Sequence, residues 1–125
     1  MADFQRLNPL AFYETPKEAC PVLNKFVSLG VAANQTVVSA VTSQRIRVMG
    51  LLAQSNNAAS GTLSLLDGSG GTALFTYPLP TNAQPALFIP IANAGYFETT
   101  TGTGLFATVT NQAIIANVFY IVYTP

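Results

Sequence analysis

From Gln35 onward, short runs of β-branched and aromatic residues recur about every ten positions, separated by clusters of Gly, Asn, Ser, Thr and Pro. That spacing predicts strands over residues 36–41, 45–53, 61–66, 73–77, 86–91, 95–99, 105–110 and 114–123. No window has the 3.6-residue period of an amphipathic helix with caps. Eight short strands with no helices between them predict an all-β protein, a single jelly-roll-like β-sandwich of antiparallel strands. In the third run Leu63 and Leu65 face one side while Thr62 and Ser64 face the other. The last run differs, because Ile114, Ala116, Val118, Tyr120 and Val122 oppose Ile115, Asn117, Phe119, Ile121 and Tyr123. A strand apolar on both faces is covered on both. The same two-sided pattern is expected of 45–53, with Met49 and Leu51 opposite Ile46, Val48 and Leu52.

Residues 1–33 read differently. Pro9, Pro16 and Pro21 punctuate them, with one helical turn possible over residues 15–19, Thr15 serving as N-cap. Phe4, Leu7, Leu10, Phe12, Tyr13, Val22, Leu23 and Phe26 are anchors of a kind that a disordered tail lacks. The expected organisation is an extended N-terminal arm over 1–33 and a sandwich over 34–125. The arm would lie against its own domain, a neighbouring subunit or a partner shell, and could supply the cover that the last strand needs.

Charge sharpens this picture. The 125 residues hold five Lys and Arg and five Asp and Glu, for a net charge of zero. Six of these ten lie within the first 25 positions, and after Val48 only Asp67 and Glu98 remain. A surface covered by Thr, Ser, Asn, Gln and Gly has little self-repulsion and suits a chain fixed among neighbours. Nucleic-acid binding needs several cationic contacts, and only Arg45 and Arg47 lie close together. The longest apolar run, residues 113–123, has eleven residues and is broken by Asn117, too few for a membrane helix of about twenty. The opening residues have no apolar signal region, so no secretion is expected and the sequon at Asn34 is expected to be unused.

The side chains of catalysis are scarce. With no histidine, neither a Ser–His–Asp nor a Cys–His nucleophile can be assembled. One cysteine, Cys20, gives no intrachain disulfide and no zinc site. Glu14 and Glu18 share their segment with lysines and read as a solvated patch. Asp67 opens an Asp-Gly turn, where its side chain is expected to cap backbone amides. A calcium loop needs several carboxylates and a glycosidase two opposed ones. The loop 68–71 lacks the Lys and the following helix of a phosphate cradle. No catalytic, cofactor or metal residue is expected, and no enzyme.

Two stretches carry a resemblance. Ser43-Gln44-Arg45-Ile46-Arg47-Val48-Met49-Gly50 follows a polar strand, and Gly95-Tyr96-Phe97-Glu98-Thr99-Thr100-Thr101-Gly102-Thr103-Gly104-Leu105 precedes a Val-Thr-Asn turn and a terminal Tyr-Ile-Val-Tyr strand. Over residues 33–123 this resembles small phage virion proteins of the head-decoration, or cement, type. It departs from their pattern at Gln44, where a basic residue is common, and at Thr103, where an acid often sits. The resemblance implies a jelly-roll-like sandwich that binds the major capsid protein and stabilises the head, located on the capsid surface after synthesis in the host cytoplasm. Self-association, as a trimer, is also expected. A tail or fibre component is one alternative, and a carbohydrate- or receptor-binding sandwich using Tyr77, Tyr96 and loop 80–85 is another. The candidate interface residues are Phe4, Leu7, Leu10, Phe12, Tyr13 and Phe26 in the arm, then Arg47, Glu98, Phe119 and Ile121. Arg47 and Glu98 are expected on outer faces, where they either pair at a subunit boundary or are separately solvated.

Overall fold

Leucine and hydroxyl residues alternate along the chain at residues 62–65, and the fold uses that alternation directly. The computed structural model of the chain describes residues 12–14, 19–55, 60–79 and 87–125. Its elements are β1 (Phe12–Glu14), β2 (Ala19–Pro21), β3 (Leu23–Leu29), β4 (Ala32–Val38), β5 (Arg45–Ser55), β6 (Gly61–Asp67), β7 (Ala73–Leu79), β8 (Leu87–Ile89), β9 (Phe97–Glu98), β10 (Leu105–Thr110) and β11 (Ile114–Tyr123). All eight expected strands are present. Two sheets pack face to face, one ordered β4-β10-β6-β7 and the other β3-β11-β5-β8, with β9 also paired to β5. With β8 and β9 counted as one interrupted strand, this order is that of an eight-stranded jelly roll. Every strand pairing is antiparallel.

The core lies between the sheets. Leu63 and Leu65 of β6, Leu105, Ala107 and Val109 of β10, and Val37 and Val38 of β4 meet Ile46, Val48 and Leu51 of β5 and Ile114, Ala116 and Val118 of β11. Each fully buried Leu, Ile or Val in such a core contributes roughly 1.5–3 kcal/mol. The outer face of the four-stranded sheet is largely polar, apart from the Phe106–Leu66 pair. Ser64 lies 3.4 Å from the Thr76 hydroxyl, and Thr110 accepts from the backbone of Thr62 at 3.0 Å.

The sandwich begins before the expected boundary after residue 33. Residues 23–29 form β3, which pairs with β11 from Leu29↔Ile114 to Leu23↔Tyr120. Three prolines and the local charge hid a regular run whose partner lies some ninety positions away in sequence. The jelly roll thus counts β3 among its eight strands. Residues 15–18 of the expected helical turn lie outside the described residues, and Ala19 begins a strand. The Asp67 carboxylate does not cap its own turn. It accepts from the Thr100 amide at 2.8 Å and the Thr100 hydroxyl at 2.5 Å, which ties the β6–β7 turn to the loop after β9.

Candidate interaction face

The outer face of the five-stranded sheet carries the residues that set this chain apart, and a bulge in β5 arranges them. Val118 pairs with Leu51 and Phe119 with Gly50, yet Tyr120 pairs with Val48, so β5 spends an extra residue at Met49. A one-residue insertion reverses the alternation beyond it. Ile46 and Val48 face the core before the bulge, and Leu51 and Ala53 face it after. Leu51 is therefore on the same side as Ile46 and Val48, not opposite them as strict alternation required. Leu52 points outward instead. Loop 90–96 takes up the disturbed backbone, since Ala92 donates to the Met49 carbonyl at 3.1 Å and Tyr96 to that of Val48 at 2.9 Å. Gly50 suits the close approach there, because a Cβ would lie 3.1 Å from the Ile89 carbonyl oxygen and from Ile91, a tight contact.

One half of this face is covered by the chain itself. Cys20 of β2 and Val22 pack on Met49, Ile121 and Tyr123. Beside them Arg45, Arg47, Glu98 and Tyr123 form a closed cluster. Arg45 Nη1 meets Glu98 Oε2 at 2.5 Å, and Arg47 Nη2 meets Glu98 Oε1 at 2.6 Å. The Tyr123 hydroxyl donates to Glu98 Oε1 at 2.8 Å and accepts from Arg47 Nη2 at 3.1 Å. The Arg47 guanidinium also sits over the Tyr123 ring, 5.0 Å from its centroid. Gly95, at φ 71, lets the loop pass close over Arg47, where a Cβ would fall 2.7 Å from Cδ. Burial alone would raise the Glu98 pKa. The bonds from Tyr123, Arg45 and Arg47 outweigh it and hold the carboxyl below its ordinary value. Burial and the bond to Glu98 push the Tyr123 hydroxyl up.

The other half is open. Phe26 of β3 lies opposite Asn117 of β11, Asn117 opposite Leu52 of β5, and Leu52 opposite Phe88 of β8. This row crosses the whole sheet, with Ile115 and Gln54 one step along it. Phe26 is 61% and Phe88 63% exposed, and Leu52 and Ile115 are exposed beside them. A shallow groove runs between Phe26, Leu52, Gln54, Ile115 and Asn117. None of these residues carries a charge. The result is an exposed, uncharged and largely apolar row, interrupted by Asn117 and Gln54.

The structure therefore sorts the expected interface residues. Phe4, Leu7 and Leu10 lie outside the described residues, as do the side chains of Phe12 and Tyr13, whose backbone forms β1. Phe26 is on the open half. Phe119 is half-buried between the halves, and Ile121 is fully buried within its own chain. Arg47 and Glu98 meet across the β5–β9 ladder inside one chain. The sequence reading missed Leu52, Phe88 and Ile115. It also left Tyr123 out of the charged cluster, although Arg45, Arg47, Ile121 and Tyr123 all have odd numbers in strands that proved to be paired. Among the described residues no group of three or more His, Cys, Asp or Glu could hold a metal.

No family model matches the chain, and no curated protein sequence does either. Solved structures do match. A subunit of Bacillus endospore appendages, described as a family of disulfide-linked pili, superposes with a TM-score of 0.50 at 16% identity, covering 89% of this chain and 95% of that one. The chain shares that fold. Infectious bursal disease virus chains align more weakly. A Gx strain chain gives a TM-score of 0.36 at 12% identity, covering 89% of this chain and 37% of its own length. A chain of the T13 viral particle gives 0.33 at 13% identity, covering 88% and 34%.

Proposed function

We propose that the chain is a structural subunit of a virion, a capsid decoration protein that binds the major capsid shell and also associates with itself as a trimer. The observation that carries this reading is the open half of the five-stranded sheet, where Phe26, Leu52, Phe88 and Ile115 present a neutral apolar surface. Charge placement supports it. Of the five charged side chains described, Arg45, Arg47, Glu98 and Asp67 are engaged within the chain. Contacts with neighbours would then rest on apolar burial and amide hydrogen bonds instead of salt bridges, and would depend little on ionic strength. No catalytic role is proposed.

The test is co-sedimentation with shells of the cognate major capsid protein assembled without this chain, alongside native mass spectrometry of the chain alone. Saturable binding at a fixed ratio is expected, undiminished in 0.5 M salt (on the order of a 4 Å screening length), together with a trimer. Failure to bind shells overturns the decoration reading, and a monomer at micromolar concentration overturns the trimer. A second reading, a subunit of a filament, is favoured by the pilus subunit whose fold matches over nearly its whole length. Negative-stain images of the concentrated chain separate the two, with filaments expected only on the second.

A further inference from the structure

Each sheet of the sandwich ends in two edges, and three of the four carry an obstacle to further pairing. β4 meets β10 with two register shifts and holds Asn34 at φ 55. β7 contains Pro78, which has no amide proton to donate. β8 has only three residues, and loop 90–96 separates it from β9. Bulges, proline and short length are devices that keep sheets from joining edge to edge. β3 has none of them. Its seven residues pair with β11 in a constant register, without proline or positive φ, and among the described residues only β11 pairs with it. Such an edge is a template for another strand.

What β3 has instead is a charge on its inner face. Lys25 lies opposite Val118, as Val27 lies opposite Ala116 and Leu29 opposite Ile114. Val118, Ala116 and Ile114 all belong to the core, and directly opposed residues share a face. Lys25 is therefore on the core-facing side of the edge strand, yet it is exposed where Val27 and Leu29 are buried. From there its stem can lie along the rim while the ammonium reaches water past the open edge. The described side-chain carboxylates of the sandwich, Asp67 and Glu98, are already held by Thr100 and by the two arginines. A strand laid along β3 would close the ammonium's route to water. The one regular edge that a second copy offers is its own β3, which would pair antiparallel about a two-fold axis. With all seven residues overlapped, Lys25 of each copy falls opposite Val27 of the other, and the two lysines become diagonal neighbours roughly 7–8 Å apart on one face. Each charge would lose water and gain only its like.

We infer that Lys25 guards this edge, keeping copies of the chain from joining β3 to β3 and leaving association to other surfaces. The inference is independent of the shell-binding reading, and it leaves Phe26, Leu52, Phe88 and Ile115 exposed. Sedimentation velocity over a concentration series and amide hydrogen exchange, both on the full-length chain, compare Lys25→Val and Lys25→Thr with the wild type. Each variant is expected to self-associate at least about tenfold more tightly, through relief of the buried charge. The β3 amides that point away from β11 are expected to exchange slowly only in the associated form. Lys25→Glu keeps a lone charge at the same place and is expected to behave as the wild type. Val and Thr variants that keep their β11–β5 amides protected but associate no more than the wild type overturn the inference. So does a larger species whose outward β3 amides still exchange fast, because the new contact then lies elsewhere. Lys25→Glu associating as tightly as Lys25→Val overturns it too, since a charge at this position then guards nothing.

Discussion

The two halves of the outer face on the five-stranded sheet answer the same need in opposite ways. Around Met49, Ile121 and Tyr123 the chain covers its own apolar surface with Cys20 and Val22, and it neutralises two arginines with one glutamate and a tyrosine hydroxyl. Around Phe26, Leu52, Phe88 and Ile115 it leaves apolar surface exposed, and the described residues of that row carry no charge. The bulge at Met49 lies at the boundary. It turns Met49 out into the covered half and then Leu52 out into the open one. The difference teaches where charge is affordable on this fold. Four of the five described charged side chains sit where groups of the same chain satisfy them, and the exposed row carries none.

Substitutions can break that contrast, and the largest effect is expected in the covered half. Ile121→Asp buries a carboxylate at a site with no exposure, where its cross-strand neighbour Arg47 is already held by Glu98 and Tyr123, a cost of several kcal/mol, comparable to a domain's whole margin. Chemical denaturation is expected to show a large fall in midpoint or no folded baseline, whereas a wild-type midpoint would mean that β2 does not cover this site.

Next comes Glu98→Ala. It leaves the Arg45 and Arg47 guanidiniums facing each other and removes the acceptor of the Tyr123 hydroxyl. A loss of about 1–3 kcal/mol is expected, the range for a half-buried charged hydrogen-bonding group stripped of its partner. A double-mutant cycle with Tyr123→Phe should be non-additive, since both side chains serve one carboxylate. Strict additivity would count against a shared cluster.

The same carboxylate sets an acid limit. Its folded pKa lies below the ordinary value of 4.5, so its contribution is fully present above pH 4.5 and is lost as pH falls through the folded value. Thermal melts across that window should show the wild type losing stability more steeply than Glu98→Gln. Parallel curves would exclude Glu98 as the source.

The smallest effect on folding is expected in the open half. Phe88→Thr puts a residue of good strand propensity at an exposed strand position and should change stability by less than about 0.5 kcal/mol. Assembly or shell binding, read by co-sedimentation, is expected to fall sharply. A variant that binds as well as the wild type would show that the open half is not the contact face.

Much of the fold was legible because strands announce themselves locally. The alternation at Leu63 and Leu65 and the turn residues at 67–71 need no knowledge of partners. β3 was not legible, because Leu-Asn-Lys-Phe-Val-Ser-Leu has a lysine and two polar residues and is specified by Ile114–Tyr123 at the far end of the chain. The charged cluster was legible in part. That Glu98 follows Phe97 predicts an outward carboxylate, and Arg45 and Arg47 share a parity. Which arginine it meets, and that Tyr123 joins them, depends on the order in which strands sit side by side. The open patch was the least visible, since Phe26, Leu52, Phe88 and Ile115 come from four strands and form a row only through cross-strand register.

The amino-acid sequence by itself determined the all-β class, the strand spacing, the absence of histidine chemistry and the depletion of charge after Val48, because period, turn chemistry and composition act over a few residues. Only the tertiary structure decided which apolar face is core and which is surface. A single bulge at Met49 reverses the alternation of β5, and its position is fixed by pairing with β11 and by loop 90–96, long-range contacts that no local pattern encodes.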